Sequence, residues 1–218
     1  MKLLSSFPIP MKRDRNGQAK ILSDEEVAAI FNLLNPRDRA IFAICLFCGC
    51  RISEALSIRA GDVGNGIITI RKANTKGKKG SRSLPISPSL EKILNDYLEI
   101  ASPNEYLFPG RAGDKPLTRA YTDLVLGEAC DRLGFKGIST HSFRRTALTR
   151  MHAAGVPLRT IQKISGHSSL VGLKQISSTN KAETGFISGK HVMIVEQPLK
   201  ETERHRYAKS CQGLNKSV

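Results

Sequence analysis

One stretch of this chain changes its period. From residue 66 to residue 87, "GIITIRKANTKGKKGSRSLPIS", two β-rich runs flank a centre of glycine and lysine, the pattern of an antiparallel hairpin with a basic turn. Elsewhere apolar residues recur at helical spacing. "LSDEEVAAIFNLL" opens with Ser23 and Glu26 in a capping-box pattern and places Val27, Ile30, Phe31 and Leu34 on one face. A second helix is predicted after Pro36 through "DRAIFAICLFCG", and a third in "RISEALSIR". Beyond the hairpin, "SLEKILNDYLEI", "TRAYTDLVLGEACDRLG", "THSFRRTALTRMHAAG" and "PLRTIQKISG" each show helical spacing and end near Gly or Pro. A single small antiparallel sheet among so many helices restricts the fold to the α+β class, mainly helical.

At 218 residues and 40% hydrophobic, the chain is large enough to bury a core, and one globular domain with tails is expected. Residues 1–21, with Pro8 and Pro10, read as an arm or linker, 22–176 as the domain, and 177–218 as a tail where the helical pattern dissolves. The formal charge of +15, from 34 Lys+Arg against 19 Asp+Glu, points to a polyanion partner, because phosphate neutralisation releases counterions. An anionic membrane surface is the rival partner. No apolar run reaches spanning length, and "MKLLSSFPIPMKRDR" is too short in its apolar part for a secretory signal. The expected location is therefore cytoplasmic, at the nucleoid. Five cysteines, an odd number, argue against a disulfide framework. Cys45, Cys48 and Cys50 in "CLFCGCR" could form a metal knuckle, but the second ligand pair is missing, and small buried hydrophobes are the preferred reading.

Several polar groups stand at element starts and turns. Arg51 begins a helix directly after "LFCGC", and Glu54 lies on the same face and can hold its guanidinium; a snorkelling surface arginine is the plainer alternative. The hairpin brings Lys76 together with Lys72, Lys78, Lys79 and Arg82, while Gly77 and Gly80 let the loop approach a nucleic-acid backbone. In "THSFRRTALT", His141 and Arg144 share a helix face, whereas Arg145, one step round, is either a further DNA contact or structural. His167 follows Gly166, a residue that can end a helix. Singly, each histidine has a structural reading. As a set, these groups are those needed to bind a phosphodiester, neutralise developing charge and move protons without a metal. A helix-turn-helix factor is the rival suggested by "LRTIQKISGHSSL", and it leaves Arg51, Lys76, His141 and Arg144 unexplained.

The segments "GCRISEAL", "RSLPI" and "STHSFRRTALTRMHAAGVPLRTIQKISGHSSL" resemble the catalytic domain of the tyrosine recombinase (phage integrase) family, over roughly residues 20 to 174. The resemblance implies that family's mainly helical fold with a small antiparallel sheet, and double-stranded DNA as partner. It implies that Arg51 and Arg144 grip the scissile phosphate, Lys76 protonates the leaving 5′ oxygen, His141 assists proton transfer and His167 hydrogen-bonds the phosphate, with Glu54 in support. A tyrosine would form a 3′-phosphotyrosyl link, requiring neither metal nor other cofactor. The position expected for that tyrosine, nine residues after His167, holds Ile176. Three readings follow: Tyr207 is a displaced nucleophile, acting from a longer linker or on a neighbouring protomer; a frameshift near residues 172–176 has left a foreign tail; or the chain is an inactive, DNA-binding or regulatory derivative. Tyr97, Tyr106 and Tyr121 occupy ordinary helix or loop positions. The family acts as a tetramer on two duplexes, but this domain alone is expected to be a monomer. With only about 20 residues before the first helix, in place of the family's N-terminal clamp, its grip on DNA is expected to be weak and salt-sensitive.

Overall fold

A computed structural model describes residues 19–75, 80–101, 105–111, 113–170 and 173. Among them are seven α-helices and one sheet. α1 (Asp24–Leu33) starts at Ser23, whose hydroxyl accepts from the Glu26 N–H while the Glu26 carboxylate accepts from the Ser23 N–H, closing the capping box read in the sequence. α2 (Pro36–Cys48) begins with proline at its first turn and ends at Gly49 in the left-handed conformation. α3 (Ile52–Leu56) follows at once.

The sheet orders its strands β1 (Val63–Gly64), β2 (Ile67–Ile70) and β3 (Arg82–Pro85), all antiparallel. Asn65 and Gly66, both at positive φ (51° and 74°), turn β1 into β2, as a two-residue hairpin loop requires. β2 and β3 are the two runs expected on either side of the basic centre, with Ile68 facing Leu84 and Ile70 facing Arg82. Lys76, Lys78 and Lys79 lie outside the described residues.

α4 (Pro88–Leu98), α5 (Arg119–Leu133), α6 (Thr140–Ala153) and α7 (Leu158–Ser165) complete the domain. α2 and α6 form its centre: Phe143 of α6 stacks on Phe42 of α2 with ring centroids 4.8 Å apart, and Ile41, Phe42 and Ile44 are fully buried. Burial of such side chains stabilises the fold by about 1.5–3 kcal/mol each. A smaller cluster of Leu148, Met151, Ile161 and Leu173 fastens α7 to α6.

The arm read over residues 1–21 is already docked by residue 19, because Arg145 donates to the Ala19 carbonyl at 2.5 Å and the Leu22 N–H donates to Thr146 Oγ1 at 2.8 Å. Cys45 and Cys48 are buried in α2 as small apolar residues, but Cys50, also fully buried, lies just past its end. Burial pushes the Cys48 thiol well above its ordinary range. No helix among the described residues is long and apolar enough to cross a membrane, and no group of three or more His, Cys, Asp or Glu there could hold a metal.

Candidate active site

The turn between α2 and α3 builds the floor of the site. Gly49 ends α2 with φ of 60°, and a Cβ there would meet Leu148 Cδ2 at 3.0 Å, so glycine is required both by conformation and by the approach of α6. Its buried carbonyl accepts a 2.8 Å hydrogen bond from Arg144 Nη1. Two residues on, Arg51 caps α3, and its N–H donates to Glu54 Oε2 at 2.8 Å.

Glu54, 1% exposed, is the centre of the arrangement. Arg51 lies 3.1 Å from one carboxylate oxygen, Arg82 Nη2 lies 2.7 Å from the other, and Arg144 stands at 3.9 Å. Burial alone would raise the Glu54 pKa. The hydrogen bond from Arg82, the Arg51 N–H and the neighbouring charges outweigh it, and the carboxyl stays below its ordinary value. The sequence grouped Arg82 with the hairpin lysines as a DNA contact; in the structure its guanidinium turns inward to Glu54 and to the Ile164 carbonyl (2.8 Å). Arg145, likewise grouped with the DNA contacts, holds the Ala19 carbonyl.

α6 and α7 supply the opposite wall. Arg144 is 7% exposed; its Nη2 donates to the Ser165 carbonyl at 2.8 Å and lies 3.3 Å from His167 Nδ1. Burial and the nearby Arg51 bring this guanidinium down to about 10, still charged at neutral pH and a measure of the positive charge crowded here. His167 follows Gly166, the left-handed cap of α7, as the Gly-His pair suggested. Ser165 Oγ lies 2.6 Å from its Nδ1. Burial first, then Arg144 and Arg51, press the His167 pKa down to about 4.

Arg51, Arg144 and His141 line one open cleft with Ile52, Ser53, Arg119 and Thr140. His141 is lowered from its ordinary value by burial and then by the Arg119 and Arg144 charges, so its imidazole is neutral at pH 7 and able to accept a proton. Arg119 and Ser165 were not singled out by sequence reasoning. For Arg119 a signal existed: it sits in the first turn of α5, where the helix dipole disfavours a cation and no acidic residue is present. Lys72 is exposed, and Lys76, Lys78, Lys79, Ile176 and Tyr207 lie outside the described residues. Of the remaining tyrosines, Tyr97 donates to the Leu107 carbonyl, Tyr121 donates to Asp38 and accepts from Arg37, and the ring of Tyr106 lies under Arg59. Each hydroxyl or ring thus has a partner of its own, and none of the three lines the cleft.

A mainly helical α+β domain with paired arginines over a buried glutamate and two histidines beside them is the catalytic domain of a tyrosine recombinase. The chain belongs to the phage integrase family, which it matches over residues 20–180. It is 35% identical over 171 residues to y4qK of Sinorhizobium fredii, a protein named as an integrase/recombinase, covering 75% of this chain and 53% of that protein. To the tyrosine recombinase XerC of Herpetosiphon aurantiacus it is 33% identical over 141 residues, 62% of this chain and 45% of the relative. The chain thus spans about half the length of the curated relatives it matches. Among solved structures, XerA recombinase superposes with a TM-score of 0.63 at 22% identity (78% of this chain, 66% of that one). XerH bound to its difH substrate gives 0.60 at 24% identity (77% and 52%).

Proposed function

We propose that this chain binds double-stranded DNA with a backbone phosphate in the cleft of Arg51, Arg144 and His141, as the catalytic domain of a site-specific recombinase. The observation that carries this reading is the convergence of two arginines and a neutral histidine on one cleft, with the charge of Glu54 engaged behind them. Two guanidiniums match the non-bridging oxygens of a phosphodiester, where charge builds as the phosphorus becomes five-coordinate. In this reading His141 would take the proton of an attacking phenol, Lys76 would give one to the departing 5′ oxygen, and His167 would hydrogen-bond the phosphate. Lys72, Lys78 and Lys79 would contact flanking phosphates. The Tn1549 transposon integrase, a structural neighbour solved in complex with a circular intermediate DNA, supports DNA as the ligand.

Strand cleavage further needs a phenol oxygen to attack phosphorus and form a 3′-phosphotyrosyl bond. With Ile176 in the expected position, Tyr207 is the tyrosine left to supply it. The test is a covalent-capture assay on nicked duplexes carrying candidate sites, read on a denaturing gel, with Tyr207→Phe alongside. A protein–DNA adduct that disappears in Tyr207→Phe supports cleavage by the displaced tyrosine. Ile176 also favours a second reading, a regulatory derivative that holds DNA without cutting it; binding without an adduct decides for that one. Absence of any duplex binding at low salt would overturn both.

A further inference from the structure

Arg82 is not among the residues that line the cleft, yet its guanidinium reaches both Glu54 and the end of α7. Its Nη2 and Nη1 lie 2.7 Å and 3.3 Å from the two Glu54 oxygens, and its Nε donates to the Ile164 carbonyl in the last turn of α7. The side chain is 13% exposed. Gly166, the next residue but one after Ile164, presses the same guanidinium: a Cβ there would lie 3.0 Å from Arg82 Nη1. One planar group therefore joins β3, α3 and the end of α7, from which His167 follows.

The charge arrangement points the same way. One buried carboxylate faces three guanidiniums, at 3.1 Å (Arg51), 2.7 Å (Arg82) and 3.9 Å (Arg144), so the group as a whole retains two positive charges. The shortest contact belongs to Arg82. Without it, Glu54 would be neutralised by Arg51 and Arg144 alone, and a bound anion would meet one net positive charge where it now meets two. We propose that Arg82 is a positioning residue for the anion site, engaging Glu54 so that Arg51 and Arg144 keep their charge for the ligand, and pinning the end of α7 so that His167 stays beside them. The inference rests on the phosphate reading of the cleft.

The test uses the full chain with Arg82→Lys and Arg82→Met, inorganic phosphate as probe, and imidazole NMR signals of His141 and His167 as readout, with thermal melts alongside. In Arg82→Met, phosphate affinity is expected to fall about tenfold or more, the scale of losing one close charge. The His167 titration is expected to rise from about 4 toward the ordinary 6.5, since an unpinned ring regains water. Arg82→Lys restores a charge to Glu54 but is a point charge that lacks the fork reaching Ile164 as well. It is expected to keep phosphate affinity within about twofold of wild type while still moving the His167 titration. A folded Arg82→Met with wild-type affinity and an unmoved His167 overturns the proposal. If that variant fails to fold, an unmoved His167 in Arg82→Lys does the same. Wild-type protein that binds no phosphate overturns the phosphate reading and the charge role together, and the His167 titration then decides the pinning role by itself.

Discussion

Glu54 carries the largest consequence of any single side chain. It is buried against Arg51, Arg82 and Arg144, so Glu54→Gln leaves three guanidiniums without their counter-charge. Breaking a buried charge pair costs about 3–5 kcal/mol, and a denaturant titration of Glu54→Gln should show a loss on that order. His167 contributes a pH dependence whose sign follows from its depressed titration, about 4 in the fold against an ordinary 6.5. Between those values the unfolded chain binds the proton and the folded one resists it. The stability this imidazole confers is therefore complete above about pH 6.5 and is lost as pH falls toward 4. His167→Gln should flatten the melting temperature across that window, and added phosphate should flatten it in the wild type by stabilising the charged ring.

At the scale of elements, α6 is the organiser, since it presents Phe143 to α2, Arg144 to the cleft and Thr146 to the segment before α1. The Thr146 hydroxyl accepts from the Leu22 N–H and donates to the Ser142 carbonyl, both at 2.8 Å. Thr146→Val strands a buried N–H, which costs about 1–3 kcal/mol, and hydrogen exchange at the Leu22 amide should quicken well before the core opens. The elements themselves were readable in the sequence because each signal is local: Ser23 with Glu26, Pro36 at a first turn, Gly49, Gly134 and Gly166 at helix ends, and the switch of period at the hairpin. Arg51 with Glu54 was readable for the same reason, the two lying one turn apart. Arg82 was not, because its partners are 28 and 82 positions away, and a basic neighbourhood in sequence says nothing about which face of a strand a residue takes. Arg145 is a stronger case, bound to a carbonyl 126 positions distant.

For the whole molecule, the +15 charge and the arginine-lined cleft make salt the natural probe. If Arg119 meets a backbone phosphate beside Arg51 and Arg144, Arg119→Ala should weaken duplex binding across all sequences alike. It should also reduce the slope of log affinity against log salt by about 0.9, one phosphate's worth. Fluorescence anisotropy at several salt concentrations reads both. A slope unchanged from wild type would place Arg119 off the DNA path and leave it its ion pair with Asp123 and its effect on His141. The bond from Arg144 to the Gly49 carbonyl spans 95 positions, and that distance sets a clock on the ribosome. At about 5–20 residues per second, several seconds separate the emergence of the turn that carries Arg51 from that of the helix that carries Arg144. If the cleft holds a phosphate as proposed, the chain is born without that site and acquires it only when α7 has been made, so truncated nascent products would carry the lysines of residues 72–79 but no cleft.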